Sequence, residues 1–463
     1  MGVSQEGHLA AAVRKPMACD GERGTGAAEH QGVRTDRVSG LPSAARAASG
    51  PVFVVPFDPT RLRRPVAGLF GAAGLTLAAR ERHGHAWLLS PAGWLNPREV
   101  QAASQGTPQA RPRAGIAARL PLVFKTALKD ALRLVEVARL NRSLGSVPLP
   151  SVNPPYIWQR HELGFVAGER LARRTGAPFV VSVHAALVRE GERWGVRRPL
   201  WGLLLERLCE RRILRRAEVV TCVSDEVAED VRRLGLPSDR VVVVPNGVDT
   251  EVFVPDRGRE HTRGELGISS DAFVIGWLGS FHRFHDLDIL LEAVARLGRV
   301  DVVLLLVGSG HDLARVRARA SELGIAACTR FTGAVAHIDV PRHLNAMDVA
   351  VLVTAAERHY HYSPLKLREY MACGRPVIAP DIGEPARLLN EGRDALLVPP
   401  GDPEALSATI MRLVTDGALR RELGRRARER AVAEWSWKSV LVRIEDAIER
   451  QGRNMAGAAR MQP

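Results

Sequence analysis

Ser363-Pro-Leu-Lys-Leu-Arg-Glu369 combines a helix start with residues that can do chemistry. Ser363 is a favourable N-cap and Pro364 suits a first helical turn, so a helix is expected from Pro364 to Cys373. The unsatisfied amides at such a start, together with the helix dipole, attract phosphate. Lys366 and Glu369 are three residues apart and share a face near that end. A cation beside phosphate and a carboxylate accepting from hydroxyls suit a nucleoside diphosphate with its ribose. An ordinary surface ion pair has the same spacing, and the pattern alone leaves both readings open.

Other residues invite chemical readings. Phe179-Val-Val-Ser-Val-His184 reads as a buried strand ending in a histidine, at the strand edge where α/β proteins place ligands. A histidine in such a place is also a common structural hydrogen-bonder. Asp286-Leu-Asp288 imitates a metal-binding pair, but it opens a helix, where acids are favourable in any case. His282, His285, His359 and His361 have ligand-like spacings, yet two separate loops must converge before they can hold a metal. No metal is expected.

The elements that must position these residues alternate. Pro51–Pro56 is a strand, Val66–Arg82 a helix, and Gly84–Leu89 a strand, a βαβ opening. Leu120–Leu144 is an amphipathic helix with Lys125, Lys129 and Arg133 on one face. Leu200–Arg216 is a second basic amphipathic helix, ending in Arg211, Arg212, Arg215 and Arg216. Strands follow at Val219–Ser224 and Val241–Val244, the latter ended by Pro245-Asn-Gly-Val-Asp249. A second alternation begins with strand Phe273–Leu278 and runs through Val302–Val307, Val349–Val353 and Val377–Ala379, with helices between. Last come helices within Pro403–Arg430 and over Ser439–Arg450.

The expected fold is therefore α/β, two facing doubly wound Rossmann-like domains with a ligand cleft between them. Its expected parts are a disordered arm over 1–50, domains over 51–246 and 247–430, a C-terminal helix over 431–450 packing back on the first domain, and a disordered tail over 451–463.

Composition supports a globular chain: of 463 residues, 46% are hydrophobic and 25% charged. No apolar run approaches the ~20 residues needed to span a bilayer. No signal peptide is read at the start, and the five scattered cysteines suggest reduced thiols and a cytoplasmic protein. The net charge of +14 is uneven. Residues 51–200 hold 22 Lys/Arg against 9 Asp/Glu, whereas residues 201–400 hold 25 against 28. A basic first half suggests an anionic partner, and the split argues against a uniform arginine bias. Nucleic acid is not expected: the aromatic content is 5% and no nucleic-acid-binding motif is present.

The stretch Ser363–Ala379 closely resembles the Ser-Pro-Leu-Lys-Leu-x-Glu-Tyr-Met-Ala-x-Gly-x-Pro-Val segment of family 4 glycosyltransferases, group 1. These are retaining sugar transferases of the GT-B fold. Five further segments resemble family motifs in the same order: Val244–Asp249 with Phe253, Gly276–Phe281, Val307–Gly310, Phe331–Gly333 and Gly392–Gly401. The likeness spans roughly residues 51–450. It implies that Glu369 binds the donor ribose and that Lys366 and the Gly279 loop approach the diphosphate. It extends the donor site to Gly308, Gly310, Val335, Leu365 and Ser363, and makes His184 the cleft histidine that touches the donor sugar or polarises the acceptor. Three positions depart from the pattern: Ser280 and His285 stand where the family often has cations, and His361 where it often has an acid. Lys366, Arg283 and a protonated His285 are the available substitutes.

The reading is a hexosyltransferase that moves a sugar from a nucleotide diphosphate sugar to a glycan or lipid-linked acceptor, with retention and without a cofactor. The acceptor is assigned to the basic half. Lys125, Lys129, Arg133 and the Arg211–Arg216 cluster suggest an anionic membrane surface on the inner face of the cell, although solvated helix faces read the same way. The alternatives are a nucleotide-sugar epimerase, a non-catalytic sugar-nucleotide-binding module, and a tailoring transferase for a soluble small molecule.

Overall fold

Val302–Val307 is six consecutive buried aliphatic residues, the signature of a parallel strand covered on both faces. It belongs to one of two sheets in a computed structural model that describes residues 35–36, 49–59, 67–102, 121–150, 153–193, 195–354 and 364–460. The second sheet has six parallel strands in the spatial order Thr329–Gly333, Val302–Val307, Phe273–Leu278, Val349–Val351, Val377–Pro380, Leu396–Val398. The first has eight strands: Thr35–Asp36, Gly93–Leu95, Trp87–Ser90, Val52–Val54, Ile157–Arg160, Phe179–Val183, Val219–Cys222, Val241–Val243. Gly93–Leu95 runs antiparallel to both of its neighbours, and all other pairs are parallel. Each sheet reverses its strand order once, between Val52–Val54 and Ile157–Arg160 in the first and between Phe273–Leu278 and Val349–Val351 in the second. Ligand crevices of open α/β sheets form at such points.

Several elements differ from the sequence expectations. The central strand Ile157–Arg160 carries Gln159 and Arg160, which hid it. Gln159 is fully buried because its amide donates to the Phe165 carbonyl at 2.8 Å and accepts from the Gly168 amide at 2.7 Å. Within the arm expected to be disordered, Thr35–Asp36 pairs with Trp94–Leu95, supplying backbone partners to an otherwise open edge; residues 1–34 and 37–48 lie outside the described residues. The helix expected over Leu200–Arg216 contains a π-helical turn at Glu206–Glu210.

The last two helices also shift. Gly417–Trp435 runs through the boundary expected at 430, because Ala431 and Trp435 pack into the second sheet's core. The chain breaks at Ser436 and crosses back as helix Trp437–Arg460. That helix buries Val440, Leu441, Ile444 and Ala447 against the first sheet, with Glu445 accepting from Tyr156 Oη at 3.0 Å. It continues through the expected tail to Arg460, helped by buried Gln451 and good helix formers such as Ala456. Among the described residues, Cys209, Cys222, Cys328 and Cys373 are free thiols, and no helix is long and apolar enough to cross a membrane.

Candidate functional site

The loop after Phe273–Leu278 lies at the second sheet's reversal point and is built on close backbone contact. The Gly279 amide donates to Val307 O at 3.0 Å, Phe281 N to Ser309 O at 3.2 Å, and Asp312 N to Phe281 O at 3.0 Å. Gly308 has φ +128°, and a Cβ there would stand 2.0 Å from Gly279 O. A Cβ on Gly310 would stand 2.5 Å from Phe281 N. These glycines therefore let two loops touch, whatever they also do for a ligand.

Helix Leu365–Ala372 follows. Pro364 sits just before it with ψ 114°, an extended conformation, so it is the N-cap residue rather than part of the first turn. Ser363 and His361, assigned to the donor site from the sequence, lie outside the described residues, as does His359. The Lys366 ammonium lies 4.4 Å above the Trp277 ring, and a Cβ on Gly279 would come within 2.8 Å of Lys366 Nζ. Burial pulls Lys366 down to about 7, and the Glu369 charge opposes this. His285 is buried, edge-on to the same indole at 5.4 Å. Trp277 thus brings Lys366 and His285 to one ring, a role the sequence reading missed although the residue stands two places before the loop glycine.

Two more neighbours fix this helix. The Leu278 amide donates to Tyr370 Oη at 2.7 Å, tying the helix to the end of strand Phe273–Leu278. The fully buried Arg368 donates to both carboxylate oxygens of Glu384, at 2.8 and 3.2 Å, and to the Pro364 carbonyl at 3.3 Å. Both residues are in the quoted motif, but their partners are remote in sequence and could not be read from it.

Glu369 points to the other half of the molecule. Its carboxylate is 3.6 Å from His337 Nε2, and the His337 ring stacks on Phe70 at 4.4 Å. Leu365, Glu369 and His337 share a small cavity of about 40 Å³ with Phe70, Gly71 and Trp437. Gly71 and Trp437 also wall a second cavity, which contains Arg160, Ser182, His184 and Asn246. The Trp437 indole wedges between Gly74 and Gly247, where Cβ atoms would stand 2.4 and 2.5 Å from it. Burial and the charges of Arg160 and His161 hold the His184 imidazole well below its usual value, so it is neutral at pH 7. Arg160 is itself lowered to about 10 by burial.

A third opening, of about 580 Å³, lies at the first sheet's reversal point. Pro56 and Phe57 form one side, with Leu128, Leu132 and Leu140 from helix Leu122–Gly145 on the other. Lys125, Lys129 and Arg133 line the same groove, and Arg133 pairs with Glu162 at 2.5 Å.

Residues 157–252 match the profile of Glycosyltransferase Family 4, and residues 272–416 match that of Glycosyl transferases group 1. The chain belongs to this glycosyltransferase family. It is 31% identical to a D-inositol 3-phosphate glycosyltransferase of Corynebacterium jeikeium, over 50% of this chain and 57% of that protein. It is 29% identical to a GDP-mannose-dependent alpha-(1-6)-phosphatidylinositol monomannoside mannosyltransferase of Mycolicibacterium smegmatis, over 62% of this chain and 74% of that one. The match thus spans little more than half the length of the first relative. In fold it resembles Anabaena HepE, solved in complex with UDP, with a TM-score of 0.62, 17% identity, and coverage of 87% of this chain and 100% of that one.

The remaining sequence candidates separate. Ser280 and Val335 are partly buried, on the loops after Phe273–Leu278 and Thr329–Gly333. Arg283 is exposed and close enough to Asp312 to help lower its pKa, behind the larger effect of Arg315. Asp288 is held by Arg315 at 2.6 Å, as an ordinary helix-opening acid would be. Among the described residues no three His, Cys, Asp or Glu side chains converge as a metal site. The Arg211–Arg216 cluster divides: Arg216 pairs with Glu169, Arg212 lines a cavity between the two basic helices, Arg215 is exposed, and Arg211 lies against Gly235.

Proposed function

We propose that this chain transfers a sugar from a nucleoside diphosphate sugar to an acceptor held by its first half. The observation that carries this is the common wall of Gly71 and Trp437, which places the Glu369 cavity directly against the His184 cavity. In this reading Glu369 accepts the donor ribose hydroxyls. Lys366 and the first-turn amides of its helix stabilise the leaving diphosphate as positive charge develops on the sugar, a task such groups can perform without a metal. His184, kept neutral, can accept or share a hydrogen bond with the sugar or the acceptor without adding charge. Retention is carried over from the family.

The acceptor is a glycan or a lipid-linked saccharide. The groove beside Phe57 combines apolar walls with Lys125 and Lys129, which suits an anionic amphiphile at a membrane surface. Titration calorimetry with UDP, GDP and ADP, followed by product analysis with and without acceptor, tests the reading. Binding of at least one diphosphate is expected, with release of a metal-independent, acceptor-dependent product. Binding of none overturns it, and donor isomerisation without acceptor favours the epimerase.

A further inference from the structure

The outward faces of two neighbouring helices in the first half are apolar. On Leu122–Gly145, Phe124, Leu128, Leu132 and Val135 recur at intervals of four, four and three, a single stripe, and each is at least 50% exposed. Leu203, Leu204 and Leu208 on the adjoining helix are 57–74% exposed. Leu200 just before it is 88% exposed and has φ +64°, a strained conformation for a leucine. Asp130 fastens the helices together, accepting from Arg198 Nε at 2.8 Å and Trp201 Nε1 at 3.1 Å. Lys125 and Lys129 flank the first stripe, and Arg212 and Arg215 follow the second.

We propose that this two-helix face inserts into the interfacial layer of a bilayer containing anionic lipid. The leucines and Phe124 enter the acyl boundary while the flanking cations meet phosphate headgroups. Charge favours this occupant over a second copy of the chain, because a self-complementary contact would bring the same cations against each other. The proposal rests on the acceptor reading in one respect: Leu128 and Leu132 belong to both the stripe and the groove. A lipid-linked acceptor could therefore reach the groove without leaving the membrane.

Vesicle flotation tests this, using phosphatidylcholine with and without phosphatidylglycerol, at low and high salt. Phe124→Gln and the pair Leu203→Gln/Leu204→Gln avoid the groove and the donor site. Each is expected to lower partitioning about tenfold, since each removes apolar burial, with the melting temperature and nucleoside diphosphate affinity unchanged. Brominated lipids are expected to quench a tryptophan introduced by Phe124→Trp. Three outcomes overturn the proposal: no vesicle binding by the wild type, wild-type partitioning by the glutamine variants, or a dimer in solution that the same substitutions dissociate. Vesicle binding without any diphosphate binding would leave the surface standing and remove the transferase reading.

Discussion

Helices Leu287–Leu297 and Leu122–Gly145 are both amphipathic in sequence, and they place their apolar residues oppositely. The first buries Leu287, Leu290, Leu291 and Val294 against its sheet. The second leaves its leucine stripe outside and has Asp130 as its one buried residue before Val137. One ion pair beside each surface shows the same contrast, although the first half also encloses His161 with Glu210. In the second half Arg368 and Glu384 are fully enclosed, whereas in the first Arg133 reaches Glu162 with its side chain 47% exposed. The surroundings of Arg368 are thus enclosed, while the helix faces of the first half keep apolar side chains exposed. An amphipathic period shows that a helix has a wet and a dry face, but not what the dry face meets.

The largest expected effect probes the enclosed pair. Arg368→Met leaves Glu384 buried without a partner and should cost about 3–5 kcal/mol in denaturant unfolding. Adding Glu384→Leu should recover much of this. A loss below 1 kcal/mol for the single variant would erase the contrast between the halves.

Glu369→Gln comes next. Loss of a charge-assisted contact to ribose should weaken nucleoside diphosphate binding by about 1.5–3 kcal/mol, with an unchanged melting temperature. Equal affinity by calorimetry would remove Glu369 from the donor site.

The third prediction concerns pH. With Lys366 near 7 in the free protein, its charge is lost as pH rises through neutrality. Bound diphosphate favours the ammonium, so affinity should weaken from pH 7 upwards until the raised value in the complex is passed. Stability of the free protein should move the other way. Between about 7 and the ordinary lysine value near 10.4 the unfolded chain holds more protons, so unfolding free energy from this group rises with pH. His285→Gln checks the assignment: the affinity profile is expected to persist, and a flattened profile would remove Lys366 as its cause. The smallest effect is expected for Arg133→Ala, within about 1 kcal/mol, because Arg133 is half exposed and Glu162 still accepts from the Leu163 amide. A larger loss would mean that this part of the first half is as tightly locked as the surroundings of Arg368.

Much of the second half was legible because its signals are local. The βα alternation after Phe273, the helix carrying Lys366 and Glu369, and the glycines at 279, 308 and 310 all follow from short-range pattern and chain geometry. Strand Ile157–Arg160 was not legible, since Gln159 is acceptable inside a sheet only when Phe165 and Gly168 satisfy it. The length of the last helix was also missed, because Trp437 packs on Gly71 and Gly74 more than 360 residues earlier in the chain and Val440 joins the core of the first sheet.

By itself, the sequence determined a two-part α/β chain with a basic first half and a helix carrying Lys366 and Glu369 near its start. Backbone propensity, period and charge are properties of neighbouring residues. Only the tertiary structure decided that Trp277 gathers Lys366 and His285, that Gly71 and Trp437 wall both cavities, and that the leucines of the first half face outward. Burial, contact and the resulting pKa shifts depend on which distant segments are brought together, and no local pattern encodes that.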